Sequence, residues 1–140
     1  MNSKFGIRVL SGSYKIVKLP LSTPVEALGG VWDSSFYSIT KSPSEYSVVC
    51  EDAVVLDPDK EDRGWALLMI DAVMDFDLVG ILAGVLNPLR EAEIGIFAVS
   101  TFDTDYILVR QQKLDLVIET LRRNGYQVDD IGHGGNATDE

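Results

Sequence analysis

Residues 99–109 read VSTFDTDYILV, in which two apolar runs flank a short polar segment. Its polar side chains are those of Thr101, Asp103, Thr104 and Asp105. Such a group could bind a metal ion, supply a pair of catalytic acids, or form a tight turn held by side-chain-to-backbone hydrogen bonds. The choice among these depends on what the rest of the chain can bring to the segment.

Other reactive groups are scarce in this chain. His133 is the only histidine and Cys50 the only cysteine, which excludes an intramolecular disulfide and a Cys/His zinc cage within one chain. The polar segment lacks the distal bidentate carboxylate of a calcium loop, and neither GxxxxGK[ST] nor GxGxxG occurs. We therefore expect no metal, no cofactor and no catalytic residues. We expect a turn shaped by Asp103, in a protein that is not an enzyme.

The charge of the chain limits its partners. The formal net charge is −10 over 140 residues. A folded domain of this sign repels phosphate backbones, so we expect no nucleic-acid binding. The apolar stretches are too short to span a bilayer, and the N-terminus lacks a sustained hydrophobic segment with a cleavage site. We expect a cytoplasmic protein with no membrane association.

The second half of the chain shows a regular alternation of strand and helix patterns. Residues 65–73 form an apolar run typical of a buried strand. A helical pattern follows from Leu78 to about Ala92, and Pro88 predicts a bend or break in it. A second helix has Leu114, Val117, Ile118 and Leu121 on its inward face. The predicted order is strand 65–73, helix 78–92, strands 94–100 and 106–109, helix 113–124, and strand 126–128.

The first half reads as shorter elements with turns between them. Strands are predicted at 5–10 and 14–19, separated by a turn at 11–13, and at 36–40 and 46–50. Thr23 is a plausible cap for a short helix that Gly29 and Gly30 end. The charged segment 52–63 reads as a solvated connection. We predict modules at 1–60 and 61–130 and a disordered tail at 131–140.

Two stretches resemble a known family. Residues 80–109, GILAGVLNPLREAEIGIFAVSTFDTDYILV, resemble the ACT domain, in the subgroup that includes the CASTOR arginine sensors of animals. That subgroup carries S-T-[FY]-x-[TS]-D-[FYH] before an I-L-V strand, and residues 100–106 match it. Residues 36–49, FYSITKSPSEYSVV, are similar to the subgroup's first module. The resemblance implies an α+β fold: a ferredoxin-like βαββαβ ACT domain preceded by a shorter ACT-like βαββ module, with antiparallel sheets and helices on one face.

The resemblance also implies a function and a site. ACT domains are regulatory modules that bind small molecules, most often amino acids, at a domain interface between the loop opening the first helix and a neighbouring strand. In this chain the loop residues are Asp75, Phe76, Asp77, Leu78 and Gly80. The facing strand contributes Gly95 and Ile96, and its far end contributes Thr101, Phe102 and Asp105.

Physical chemistry supports such a site independently of the family. Unpaired N–H groups at a helix start attract a ligand carboxylate. The carboxylates of Asp75, Asp77, Asp103 and Asp105 are candidate partners for an amino group. Glycine at positions 80 and 95 allows close approach to the backbone. Capping of the helix by Asp75 or Asp77 remains the alternative role for that pair.

The sequence departs from the family in two ways. The loop before the first helix lacks the proline of the Asp-x-Pro-Gly type, and the chain offers at most two modules where the animal sensors hold several. A paired interface would then require a homodimer. The prediction is a regulatory protein that binds an amino acid or a similar small molecule. The alternative is a ligand-independent dimerisation or protein-interaction module.

Overall fold

A computed structural model describes residues 6–71 and 80–130 of the chain. The strands are β1 (Gly6–Lys18), β2 (Ser38–Lys41), β3 (Tyr46–Glu51), β4 (Lys60–Asp71), β5 (Ile96–Ser100), β6 (Asp105–Arg110) and β7 (Gln127–Asp129). The α-helices are α1 (Ile81–Glu91) and α2 (Leu114–Arg123), and 3₁₀ helices span Val25–Asp33 and Gln111–Lys113. Among the described residues, no helix is both long and apolar enough to cross a membrane.

The chain divides into two compact units. The N-terminal unit consists of residues 13–65, and the C-terminal unit consists of residues 1–12 with 66–140. Strands β1 and β4 each contribute to both units. The sequence predicted a boundary at residues 60 and 61. It did not anticipate that the first twelve residues group with the second module.

The C-terminal unit contains the predicted βαββαβ order, β4-α1-β5-β6-α2-β7. Its strands lie in the order β1-β4-β6-β5, and β7 pairs with β1. Strands β5 and β6 are antiparallel, with Ser100 opposite Asp105. The β1–β7 pairing is parallel, with Gly6 opposite Gln127. The predicted ferredoxin-like α+β class is confirmed, and the structure adds the first half of β1 to the sheet.

One apolar core holds this unit together. The amphipathic pattern of α2 places Leu114, Val117, Ile118 and Leu121 in the core, as predicted. Val85 and Leu89 of α1 lie in the same cluster. The sheet supplies Ile7, Val9, Ala66, Leu68, Ile70, Ile107, Val109 and Val128. Both helices therefore cover the same face of the sheet.

The N-terminal unit has its own smaller core. Strands β2, β3 and β1 pair antiparallel in that order, with Val17 opposite Val48. Alternate residues of β3 and β1 point into a cluster with Leu28 and Val31 of the 3₁₀ helix. The short helix predicted after Thr23 exists, but it is a 3₁₀ helix with Pro24 at its N-cap and no side-chain cap.

The predicted turn at 11–13 is wrong. Strand β1 runs without interruption from Gly6 to Lys18, and Gly12 lies within it at φ 106°. A left-handed glycine is as typical of an irregularity inside a strand as of a turn. Residues 6–8 of β1 pair with β7 and residues 14–18 pair with β3. Because both flanks of Gly12 are paired as strand, the glycine marks an irregularity inside β1 and not a turn.

The predicted connection at 52–63 is wrong in its last four residues, because β4 begins at Lys60. The start of β4 carries the negative partner of a buried positive charge. Lys15 of β1 is 1% exposed, and its Nζ lies 2.5 Å from the Val54 carbonyl oxygen and 3.2 Å from Glu61 Oε1. A buried ammonium needs such partners, and Glu61 of β4 provides the negative one. A hydrogen bond from Arg63 is the main cause that lowers the pKa of the Glu61 carboxyl.

Helix α1 ends where it was predicted to end, at about Ala92, and its described part begins at Ile81. It begins at Ile81 because Gly80 has φ 91°, which a helical residue cannot adopt, and the predicted first residue, Leu78, lies outside the described residues. It continues through Pro88 to Glu91, so the predicted break is wrong. Pro88 lacks the N–H that would bond to the Gly84 carbonyl oxygen, and the helix continues past it without that hydrogen bond.

Candidate functional site

The polar segment of the sequence forms the turn between β5 and β6. The Thr101 N–H donates to the Thr104 carbonyl oxygen at 2.9 Å, and Thr101 Oγ1 donates to the same oxygen at 2.8 Å. In return, the Thr104 N–H donates to Thr101 Oγ1 at 3.2 Å. The turn is therefore closed by backbone and threonine groups alone.

The prediction that Asp103 shapes this turn is wrong. Among the described residues, no hydrogen bond of the turn uses its carboxylate, and the residue is exposed. Thr101 takes that role, because its hydroxyl both donates and accepts across the turn. The Asp103 carboxylate consequently remains available to other molecules.

Asp105 is held at the first position of β6. Ser100 Oγ donates to Asp105 Oδ1 at 2.5 Å, across the pair that the two residues form in the ladder. Within the described part of the chain, Asp105 Oδ2 has no hydrogen-bond partner. One carboxylate oxygen thus fixes the side chain, and the other is free to accept from a ligand.

A small cavity lies against this turn, which we call the hairpin pocket. Its volume is about 70 Å³. Its lining consists of Ile70, Ile81, Thr101, Phe102, Asp103, Thr104 and Asp105. Among the described residues of this lining, two carry carboxylates and none carries a basic side chain. The electrostatics of the hairpin pocket therefore favour a cationic group.

The start of α1 contributes one wall of the hairpin pocket. Ile81 is the first residue of the helix, and the N-cap is Gly80. The first intrahelical hydrogen bond runs from the Gly84 N–H to the Gly80 carbonyl oxygen at 2.8 Å. Ile81 therefore belongs to the turn of helix whose N–H groups precede the regular ladder.

Four of the predicted loop residues lie outside the described part of the chain. These are Asp75, Phe76, Asp77 and Leu78. The described residues on either side are Asp71, the last residue of β4, and Gly80. Because Ile70 and Ile81 both line the hairpin pocket, the described chain enters and leaves this loop beside it.

The structure separates Gly95 and Ile96 from the other predicted residues. They lie at the start of β5 and line a groove of about 590 Å³ with Ala83, Leu86, Asn87, Arg90, Glu93 and Ile94. We call this the edge groove, since β5 is last in the strand order of its unit. The length of β5 puts it about 15–20 Å from the hairpin turn.

Sequence reasoning missed Ile70 and Ile81, and it placed Thr104 in the strand end of the site without giving it a role. Ile70 ends a predicted buried run and Ile81 belongs to a predicted apolar helix face, so both patterns indicated core. Thr104 matches the family motif and was available as a signal. Its hydroxyl donates to the Ile70 carbonyl oxygen, a contact between segments that are distant in sequence.

The chain is similar in sequence to known proteins. The sequence profile of the ACT domain family matches residues 60–123. The cytosolic arginine sensor for mTORC1 subunit 1 of Bos taurus is 31% identical over 99 residues, which are 63% of this chain and 30% of that protein. The chain thus spans about 30% of the length of this curated relative.

Solved structures agree with the fold. Protein Atu0741 from Agobacterium tumefaciens is 36% identical with a TM-score of 0.75, over 88% of this chain and 90% of that one. Clostridium acetobutylicum aspartate kinase has a TM-score of 0.65 over 86% of this chain and 34% of its own. At 14% identity it shows likeness of fold alone.

Helices on one face of a sheet, in the order βαββαβ, define the second module as a ferredoxin-like α+β domain. The match to the ACT domain profile and the similarity to the arginine sensors identify a narrower class within that fold. Residues 60–123 match the ACT domain family, and the chain resembles the CASTOR arginine sensors, as the sequence predicted.

Proposed function

We propose that this protein is a non-enzymatic regulatory protein of the cytoplasm that binds a free amino acid at the hairpin pocket. The observation that carries the proposal is the lining of that pocket, which contains Asp103 and Asp105 together with Ile81, the first residue of α1. Such a pair of features is complementary to a zwitterion. The ligand's amino group would meet Asp105 Oδ2 or Asp103, and its carboxylate the N–H groups at the start of α1.

The size of the hairpin pocket limits how much of the ligand it holds. Its volume of about 70 Å³ is well below the roughly 300 Å³ at which ligand pockets begin. It would therefore accept only part of the ligand. Asp75, Phe76, Asp77, Leu78 and Gly80 are proposed to contact the remainder.

A homodimer belongs to the same proposal. The edge groove contains Leu86, Ile94 and Ile96 beside the last strand of the unit. An edge strand flanked by apolar side chains favours association with another chain. A second copy would bring further residues to the ligand, and we place Gly95 and Ile96 in this role.

Binding would act through linkage. A ligand with higher affinity for one arrangement of the protein stabilises that arrangement by the difference in binding free energy. A protein partner that recognises the arrangement would read the result. The mechanism requires no covalent step.

The test is a thermal-shift screen of all twenty amino acids at millimolar concentration. One or a few should raise the melting temperature, because a ligand that binds only the folded state stabilises it by mass action. A screen in which none shifts the transition would contradict the proposal.

The second candidate is a ligand-independent dimerisation module, which the edge groove favours. Light scattering coupled to size-exclusion chromatography separates the two candidates. The alternative predicts a dimer whose melting temperature and mass no amino acid changes.

A further inference from the structure

Two walls of the hairpin pocket come from segments that are distant in sequence. Ile70 lies near the end of β4, and the turn residues 101–105 lie between β5 and β6. One side-chain hydrogen bond joins these walls: Thr104 Oγ1 donates to the Ile70 carbonyl oxygen, across 34 residues. Thr104 is half-buried, so this bond is partly shielded from water.

We propose that Thr104 is a positioning residue that fixes the turn against the Ile70 wall of the hairpin pocket, where the β4–β6 pairing gives way to the turn. Its hydroxyl holds the turn against β4, and the next residue is Asp105, which lines the pocket and is the proposed partner of the ligand's amino group. The proposal deepens the function proposed above and depends on it for its effect on binding.

Strands β4 and β6 are hydrogen-bonded neighbours, so the sheet already brings the start of β6 beside β4. The other side-chain bonds of the turn do not extend this connection to the turn itself. The three bonds between Thr101 and Thr104 are internal, so they fix the shape of the turn but not its position relative to Ile70. Ser100 and Asp105 bond to each other within the same hairpin. The Thr104 hydroxyl alone among these groups reaches another strand.

A pair of substitutions separates the hydroxyl of Thr104 from its shape. Thr104→Val keeps the branched side chain and removes the donor, whereas Thr104→Ser keeps the donor. Thr120→Val is the matched control, because Thr120 Oγ1 is buried in α2 and has no hydrogen-bond partner among the described residues. It tests the same chemical change away from the pocket.

The first experiment measures amide hydrogen exchange in the ligand-free protein by NMR. Losing a hydrogen bond of ordinary strength should speed exchange of the Thr101 N–H about fivefold in Thr104→Val. Thr104→Ser and Thr120→Val should stay within about twofold of the wild type. Equal exchange in Thr104→Val and Thr120→Val would overturn the proposal, whether or not any amino acid binds.

The second experiment measures the dissociation constant of the amino acid that gives the largest thermal shift. We expect about fivefold weaker binding for Thr104→Val and near-wild-type binding for Thr104→Ser. A purely structural role would lower the melting temperature and leave the dissociation constant unchanged, which would also overturn the proposal. If the wild type binds no amino acid, the proposed function fails, and the exchange measurement still decides the role of Thr104.

Discussion

Gly84 of α1 lies against the hydroxyl of Tyr126, and this contact predicts an unusual response to one methyl group. A Cβ added at position 84 would lie 2.9 Å from Tyr126 Oη. Tyr126 is 5% exposed, so its ring has little room to move away. Burial also raises the pKa of the Tyr126 phenol, which therefore stays neutral at ordinary pH.

The magnitude follows from two opposing effects. Gly→Ala inside a helix gains about 1 kcal/mol from helix propensity. Forcing a methyl group into a packed contact costs about 1–3 kcal/mol. We expect Gly84→Ala to destabilise the protein by up to about 2 kcal/mol. In the Tyr126→Phe background the obstructing oxygen is absent, so the same substitution should stabilise by up to about 1 kcal/mol.

The assay is urea unfolding of the wild type, both single variants and the double variant. The expected result is a coupling free energy of about 1–3 kcal/mol between the two positions, with a change of sign in the effect of Gly84→Ala. If Gly84→Ala changes the free energy of unfolding equally in both backgrounds, the contact does not limit position 84 and the reasoning is refuted.

Three further predictions concern the free energy of unfolding and its dependence on pH. Thr120→Val should raise the free energy of unfolding by about 1 kcal/mol, because it removes a buried hydroxyl that has no hydrogen-bond partner among the described residues; a loss in urea unfolding would refute this. Thr101→Ala should destabilise by about 1 kcal/mol and Asp103→Ala by much less, since only Thr101 bonds across the turn; equal losses would contradict the assignment. Burial is the main cause that raises the pKa of the Cys50 thiol from 9.0 to about 11. Because the unfolded chain loses the thiol proton at a lower pH than the folded protein, the buried thiol stabilises the fold fully below pH 9, and this stabilisation is lost as pH rises toward 11. Unfolding measurements between pH 9 and 11 should show this decline in the wild type and not in Cys50→Ala.

Local patterns predicted α2 and the class of the fold. The apolar residues of α2 recur at spacings of three and four, and Leu114, Val117, Ile118 and Leu121 are buried accordingly. The family motif at residues 100–106 located the β5–β6 turn. Each of these two signals is formed by residues that are close together in the sequence.

Features that depend on distant partners escaped prediction. Gly12 lies within a strand because residues 6–8 pair with β7 and residues 14–18 pair with β3, and local sequence does not reveal these pairings. The charged start of β4 is a strand whose Glu61 lies beside a buried lysine. Charge alone indicated a solvated connection there.

The candidate site likewise contains residues that local sequence predicted and residues whose place depends on distant segments. Thr101, Phe102 and Asp105 were predicted from a contiguous motif and line one pocket. Ile70 and Thr104 meet across two strands, so their place in that pocket depends on the sheet. Gly95 and Ile96 were predicted to face the same ligand, but the length of β5 separates them from the turn. Their role in ligand binding stays a prediction that requires a second copy of the chain.

The most direct test of amino-acid binding is calorimetric titration of the wild type, Asp105→Asn and Asp129→Asn. Asp105→Asn keeps the size of the side chain and removes its charge, and Asp129→Asn makes the same change at an exposed position of β7. The account predicts that an amino acid binds the wild type and Asp129→Asn equally and binds Asp105→Asn about tenfold or more weakly. Equal binding to all three proteins, or no binding of any amino acid to the wild type, would contradict it.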